Sequence, residues 1–195
     1  MILLTGTVSV SDVDAFVERL QEAGATHGVT VQAFDARYVV GRAHLERAVE
    51  LADRALARGE NVADDRAVEI LLYAAGRRQI DRAFEMGVST GERPVVVLVD
   101  EPDRDGTPDG GGSPDGPANG DDRDDVTDAE RSGAAALRES LGVDAVGESD
   151  GGPVAAYDRG RVCEFFDVGD AELAAVAGEL PDVVCERVAL LDVEK

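Results

Sequence analysis

The chain has 195 residues, with 41 Asp and Glu against 19 Lys and Arg, and its formal net charge is -22. This length suits one domain, and an apolar content of 44% excludes a chain that is disordered throughout. Aromatic residues make up 4% with no Trp, which disfavours extensive base-stacking platforms, and the acidity excludes a generic basic nucleic-acid binder.

The chain opens with strand and helix patterns in alternation. Residues 2–10 are rich in β-branched side chains and predict a strand. Ser11 or Asp12 can then cap an amphipathic helix, which residues 24–28 end with two glycines. Residues 29–34 alternate in polarity and predict a second strand.

Three helices follow in quick succession. Before them, the short apolar piece at 38–40 predicts another strand. Helical stripes then cover residues 45–56, 68–75 and 80–87, and Gly76 separates the second from the third.

A continuous apolar run at residues 94–99 has strand length and predicts a strand buried on both faces. Composition changes at residue 101. From there to about residue 125 the chain is mainly Asp, Gly, Pro, Asn and Ser, with almost no apolar side chain to offset its ordering entropy. We expect a disordered acidic insertion at 101–125 within a single domain that spans residues 1–195.

The C-terminal part carries further patterns. A helix is predicted at 134–141, a Gly-rich stretch at 147–153, a strand at 162–166, a helix at 173–180 and mostly strand at 183–193. The order of elements predicts an α/β (α+β) fold: a single compact domain with a mixed sheet flanked by helices.

The charge has an unusual composition, because Lys195 is the only lysine and Asp outnumbers Glu. Acids spread along the chain indicate adaptation to molar salt, where screening is short-ranged, and we expect a halophilic, archaeal source. No segment has the pattern of a signal peptide or the length of a membrane span, so a soluble, cytoplasmic protein is expected. Cys163 and Cys185 lack metal-type spacing, and whether they pair cannot be deduced from sequence.

The usual catalytic motifs are missing. The sequence has no phosphate-binding loop, no dinucleotide fingerprint and no nucleophile elbow. His27 falls in a predicted turn, and His44 lies beside Arg42 at a helix start without a triad context. This inventory favours binding over catalysis, and no cofactor or metal is expected.

Residues 69–84 differ from this acidic background. A helix ends at Gly76, and a second helix opens after Arg77, Arg78 and Gln79, with Arg82 one turn on. The three arginines form a local positive island at a helix N-terminus, where free N–H groups favour an anion. The residues alone leave two interpretations open: a phosphate or RNA-end site, or ion pairs with neighbouring acids.

The same segment reads E-I-L-x-x-A-x-G-x-x-Q-I-x-x-A-F, a pattern that resembles the core motif of a family of small KEOPS subunits, the TPRKB-like kinase-binding proteins. Residues 1–6 are similar to the family's opening strand, and residues 31–36 resemble its Q-x-x-(N/D)-A segment. Asn61 matches a frequent Asn, and residues 185–191 resemble the E-R-x-A-L-(I/L) terminus. The acidic insertion is a departure from the family.

The resemblance implies a non-catalytic subunit of the KEOPS complex, which installs threonylcarbamoyladenosine in tRNA. It implies docking on a kinase-like ATPase subunit, indirect work with the transferase subunit, and binding of the single-stranded 3′ CCA end of tRNA. Arginine and glutamine suit phosphates, 2′-hydroxyls and unstacked bases. The positive island and the resemblance together point, for RNA, to Arg77, Arg78, Gln79 and Arg82, although arginine at positions 77 and 78 departs from the pattern common in the family. Arg42 and His44 are secondary candidates.

A second interpretation is a protein-interaction module that regulates the kinase-like ATPase without direct RNA contact. It would need exposed apolar residues on the helices of residues 43–84, and Tyr73 and Leu51 lie outside the predicted core stripes. They are equally compatible with a second small apolar cluster.

Overall fold

The computed structural model of the chain describes residues 1–102, 126–145, 154–175 and 178–193. The expected acidic insertion and the Gly-rich stretch lie almost entirely outside the described residues. The described part is an α+β domain, which confirms the predicted fold class.

The sheet has four strands in the order β2-β3-β1-β4. Every described pairing is antiparallel, so the expected mixed sheet is corrected to an antiparallel one. The strands are β1 (Ile2–Val10), β2 (Thr30–Asp35), β3 (Gly91–Asp100) and β4 (Asp144–Ala145).

Strand β3 lies between β1 and β2 and is the most buried part of the sheet. Residues 95–99 have no exposed surface, because Val96 and Leu98 face one apolar cluster while the alternating valines face the other. The predicted strand at 94–99, buried on both faces, is confirmed.

Helices cover both faces of the sheet. On one face lie α1 (Val13–His27) and α5 (Asp128–Leu141), whose buried side chains share a cluster with Leu4 and Val97. The Asp12 carboxylate caps α1 by accepting a hydrogen bond from Ala15 N at 2.9 Å.

The other face carries the larger cluster, which includes Phe34, Val96 and Leu98 of the sheet. Its helices are α2 (Arg42–Arg58), α3 (Arg66–Ala74), α4 (Ile80–Ala83), α6 (Arg159–Phe166), α7 (Asp170–Ala175) and α8 (Leu180–Val193). The three helices predicted between residues 45 and 87 are confirmed as α2, α3 and α4, the last of which continues as a 3-10 turn.

Two predicted strands are wrong. Residues 162–166 belong to α6 and residues 183–193 to α8. Their β-branched and aromatic residues favour strands, but the buried residues recur at helical spacing, as in Leu180, Val184, Val188 and Leu191.

Two further boundaries differ from the prediction. The expected strand at 38–40 is a 3-10 turn at Ala36–Tyr38 followed by extended chain. The expected helix at 173–180 is divided between the end of α7 and the start of α8.

An ion-pair cluster joins the layers near the start of α3. The Arg66 guanidinium donates to Asp53 of α2 at 2.6 and 2.8 Å and to Asp100 of β3 at 2.5 Å. Burial works against the charge on Arg66, but the two carboxylates outweigh it and raise the pKa of Arg66. The cluster fixes α3 relative to α2 and the sheet.

No helix in the described parts of the chain has the length and apolar character that crossing a membrane requires.

Gly24 allows α1 to approach the chain that enters β2. A Cβ atom at Gly24 would lie 2.6 Å from the carbonyl oxygen of Val29. We expect Gly24→Ala to lower the free energy of unfolding by about 1–3 kcal/mol through this clash, despite the higher helix propensity of alanine. Denaturant unfolding followed by circular dichroism measures the change. Gly169→Ala is the control, because nothing lies within 4 Å of its added Cβ. Equal stability of the two variants would contradict the prediction.

Candidate nucleic-acid interface

The site is built on the C-terminal end of helix α3. Gly76 adopts a left-handed conformation, with φ at 58°. Its N–H donates to the carbonyl of Tyr73 at 2.8 Å, and the N–H of Arg77 donates to the carbonyl of Leu72 at 3.0 Å. This pair of bonds is a Schellman motif, which needs a residue that tolerates positive φ. The glycine of the sequence motif therefore ends the helix and sets the direction in which Arg77 leaves it.

A buried histidine completes this helix end. The Nε2 atom of His44 lies 2.7 Å from the carbonyl oxygen of Ala74, and since a carbonyl only accepts, Nε2 carries the proton. The imidazole has no exposed surface and packs edge-on against Phe166. Burial lowers the pKa of His44 to about 4, so the ring is neutral near pH 7. The structure corrects the expectation for His44: its ring holds the end of α3 and has no surface to offer RNA.

The carboxylate at the start of the motif is also structural. Glu69 is buried, and its Oε2 atom accepts hydrogen bonds from the backbone N–H groups of Val62 and Ala63 at 3.1 and 2.9 Å. The Asn61 side chain donates to the carbonyl of Ala63 at 3.0 Å. Glu69 and Asn61 thus shape the loop that enters α3.

Arg77 and Arg78 bind the ends of two other helices. The Arg77 guanidinium donates to the carbonyl of Phe165 in the last turn of α6 and lies 5.2 Å from the centre of the Phe165 ring. Arg78 donates to the carbonyl of Leu191 in the last turn of α8 at 3.4 Å. The free carbonyls and the dipole of a helix C-terminus favour a cation. Neither arginine pairs with a carboxylate in the described parts of the chain, so their partners are carbonyls rather than the acids considered from sequence.

The second half of the motif faces solvent. Gln79 is exposed, and no described residue bonds its amide. Arg82 is 55% exposed and pairs with Glu85 at 2.6 Å. Phe84 is 52% exposed, an unusual position for an aromatic side chain in this chain. Sequence reasoning gave Phe84 no role, although its place in the motif was a signal.

Arg42 lies at the start of α2. Its Nε atom pairs with Glu46 at 2.6 Å, and its Nη2 atom donates to the carbonyl of Met1 at 3.1 Å. No hydrogen bond or ion pair among the described residues joins Arg42 to residues 77–84. Its polar partners are Glu46 and Met1 rather than the other candidates.

The two expected partner-binding residues are buried. Leu51 has no exposed surface, because α2 packs against both α3 and α8 and buries a second stripe that includes His44 and Ala55. Tyr73 is buried because helix α3 is enclosed on nearly every side. The expectation that Tyr73 and Leu51 form an exposed surface is wrong, and both belong to the larger apolar cluster. Exposed apolar side chains on this side of the sheet are instead Val62, Ile80, Phe84 and Leu190.

Two depressions lie near the motif. One, lined by Val62, Tyr73, Arg78 and Leu191 among others, has a volume of about 10 Å³, which is room for a single water. The second has a volume of about 300 Å³ and lies beside Arg82. Its other lining residues are Tyr38, Glu85, Arg161, Glu164 and Phe165.

Two further kinds of chemistry concern metal ligands and thiols. Within residues 1–102, 126–145, 154–175 and 178–193, no group of three or more His, Cys, Asp or Glu is placed to hold a metal ion. Cys163 and Cys185 are free, half-buried thiols. The side chains on the surface around Gln79 and Arg82 are instead hydrogen-bond donors, a cation and exposed apolar groups.

The fold and this surface define a small α+β protein whose exposed groups are suited to binding a macromolecule. The family model described as kinase binding protein CGI-121 matches residues 8–192, and the chain belongs to this family. A search among curated proteins finds no match. The resemblance seen in the motif at residues 69–84 is confirmed at the level of the family.

The burial of His44 predicts a pH effect on stability. The ordinary pKa of 6.5 applies to the unfolded chain and about 4 to the folded one, so the unfolded state takes up the proton first as the pH falls. The folded state therefore keeps its full stability above pH 6.5 and loses part of it as the pH falls toward 4, because the unfolded chain binds a proton that the buried ring does not. Between these values, wild-type stability should fall more steeply than that of His44→Gln, by up to about 1.4 kcal/mol per pH unit. Denaturant unfolding at several pH values measures both slopes, and parallel curves would show that His44 does not titrate as proposed.

Proposed function

We propose that this protein is a non-catalytic subunit of the KEOPS complex, which supports threonylcarbamoyladenosine modification of tRNA. It binds the kinase-like ATPase subunit and the single-stranded 3′ CCA end of tRNA, and it works with the transferase subunit indirectly. The observation that carries the RNA part is the division of the motif: Glu69 and Gly76 serve the fold, while Gln79, Arg82 and Phe84 are exposed without a structural need for exposure.

The exposed half of the motif has the groups that single-stranded RNA requires. The Gln79 amide offers a donor and an acceptor for base or sugar edges, and Arg82 offers a planar cation for phosphate. Phe84 offers an aromatic face, and unstacked bases stack on such rings. These three residues lie within six positions of one another, and each is exposed.

Arg77 and Arg78 take a different part in the proposal. Each already donates to a helix-end carbonyl, and each is only half-exposed. A guanidinium has five N–H donors, so a phosphate contact remains available to both. We therefore assign them first to positioning residues 79–84 against α6 and α8, and second to RNA.

The arginine proposal is tested with Arg82→Ala. We expect it to weaken binding of CCA-ended tRNA about tenfold, because a charge-assisted hydrogen bond is lost, and to leave tRNA without its CCA unaffected. Electrophoretic mobility shift in high KCl measures both affinities.

Arg131→Ala is the matched control. Arg131 is 61% exposed and pairs with Asp128 three residues away, as Arg82 does with Glu85, but it lies on α5 across the sheet. If both variants lost the same affinity for CCA-ended tRNA, the effect would come from net charge and not from a contact made by Arg82. Wild-type protein that binds tRNA equally with and without CCA would leave only the protein-interaction function.

The kinase-binding function needs a different surface, since Tyr73 and Leu51 are buried. Leu190 of α8 is 49% exposed, and Val62, in the loop before α3, is also exposed. Val62 lines the small depression together with Leu191, the neighbour of Leu190. We assign the kinase-like partner to the exposed side of α8 that carries Leu190, because membership of a kinase-binding family calls for an apolar docking surface.

Leu190→Glu should weaken binding to the kinase-like subunit at least tenfold, because a charge would have to be buried in an apolar contact. Isothermal titration calorimetry without RNA measures the affinity. Val17→Glu is the control, because Val17 is 38% exposed on α1 at the opposite face of the sheet. Unchanged binding by the Leu190 variant would move the docking face elsewhere.

The acidity fits the same proposal if the protein works in the cytoplasm of a halophilic archaeon. Counterion release contributes little to RNA affinity at molar salt. Recognition would then depend on hydrogen bonds and stacking, and a few arginines suffice in a chain with a net charge of -22.

A further inference from the structure

The larger depression beside Arg82 is formed by two elements that are far apart in sequence. Arg82 and Glu85 come from α4 and the turn after it, and Arg161 and Glu164 come from α6. Each element contributes an arginine and a glutamate three residues later, which places both on one face of its turn. Tyr38 and Phe165 form the floor, with ring centres 5.0 Å apart at an angle of 62°.

The two Arg–Glu sets are not equivalent. Arg82 and Glu85 are paired at 2.6 Å. Arg161 instead approaches Asp158 at 3.9 Å and the Tyr38 hydroxyl at 3.4 Å. Within the described part of the chain, no hydrogen bond or ion pair engages the Glu164 carboxylate. Glu164 is therefore an available hydrogen-bond acceptor on the wall of the depression.

The Arg161 guanidinium is held over an aromatic ring. Its central carbon lies 5.5 Å from the centre of the Tyr38 ring, and the side chain remains partly exposed. A guanidinium fixed on an aromatic face is a flat, cationic platform for a base. Arg82 on the opposite wall suits a phosphate.

We propose that this depression, the Arg161–Glu164 pocket, binds the unstacked terminal nucleotide of the RNA end, whose base carries an exocyclic amine. The base stacks on Arg161, its amine donates to Glu164, and its phosphate meets Arg82. Adenine and cytosine carry such an amine, and uracil does not. The volume of about 300 Å³ is at the lower end for small-ligand sites and suits a single nucleotide. The assignment rests on the proposed RNA function and adds its base preference.

The first experiment distinguishes stacking from charge. Arg161→Ala and Arg161→Lys should both weaken binding of CCA-ended tRNA about tenfold, because lysine keeps the charge and loses the plane. Arg159→Ala removes the same charge from the same helix at a residue that does not line the pocket, and it should bind like wild type. Thermal melts of all variants check that Tyr38 and α6 remain folded. Rescue by lysine would overturn the stacking role.

The second experiment tests the base preference. Wild-type protein should bind tRNA ending in CCA several-fold more tightly than tRNA ending in CCU. Glu164→Gln should reduce this preference, since an amide both donates and accepts. CCA-dependent binding that ignores the terminal base and all Arg161 and Glu164 changes would overturn the pocket assignment and leave the proposed function standing. Absence of any CCA dependence in the wild type would overturn both.

Discussion

The end of helix α3 is the constraint on which the site depends. The left-handed turn at Gly76 closes the helix, and the buried Nε2–H of His44 satisfies the carbonyl of Ala74, which no backbone donor of the described chain reaches. Buried carbonyls need such partners, so the position of α2 is tied to the end of α3. Arg77 leaves this turn in a fixed direction and reaches the end of α6. The exposed residues that follow inherit their orientation from these bonds.

Arginine has a structural use in this chain before it has a functional one. Arg66 joins α3 to Asp53 and Asp100, while Arg77 and Arg78 hold the last turns of α6 and α8. The planar guanidinium suits both carboxylates and carbonyl groups. Fewer cations are therefore available to a phosphate than the three arginines of the positive island indicate. Arg82 is the exposed member of that island, and it is the one to which we assign a phosphate contact.

Much of the fold follows from local patterns. The strand at 94–99 was predicted because a continuous apolar run of that length is typical of burial on both faces, and β3 bears this out. The strands predicted at 162–166 and 183–193 are wrong, because residues of high β propensity there are buried at helical spacing. In α8 the packing against α2 favours a helix over a strand, and the buried positions recur at helical period. The antiparallel order of the sheet depends on pairings between distant residues, which local patterns do not encode.

The sequence by itself determined the motif, the place where α3 ends and the family to which the chain belongs, since these depend on residue identity and short spacing. Tertiary structure alone decided which of the candidate residues are available. It buried His44, Leu51 and Tyr73, because α2 and α3 are enclosed by neighbouring helices. It also brought Arg161 and Tyr38 beside Arg82, although the three residues come from separate elements. Exposure is a property of the packed molecule, because it depends on what covers a side chain.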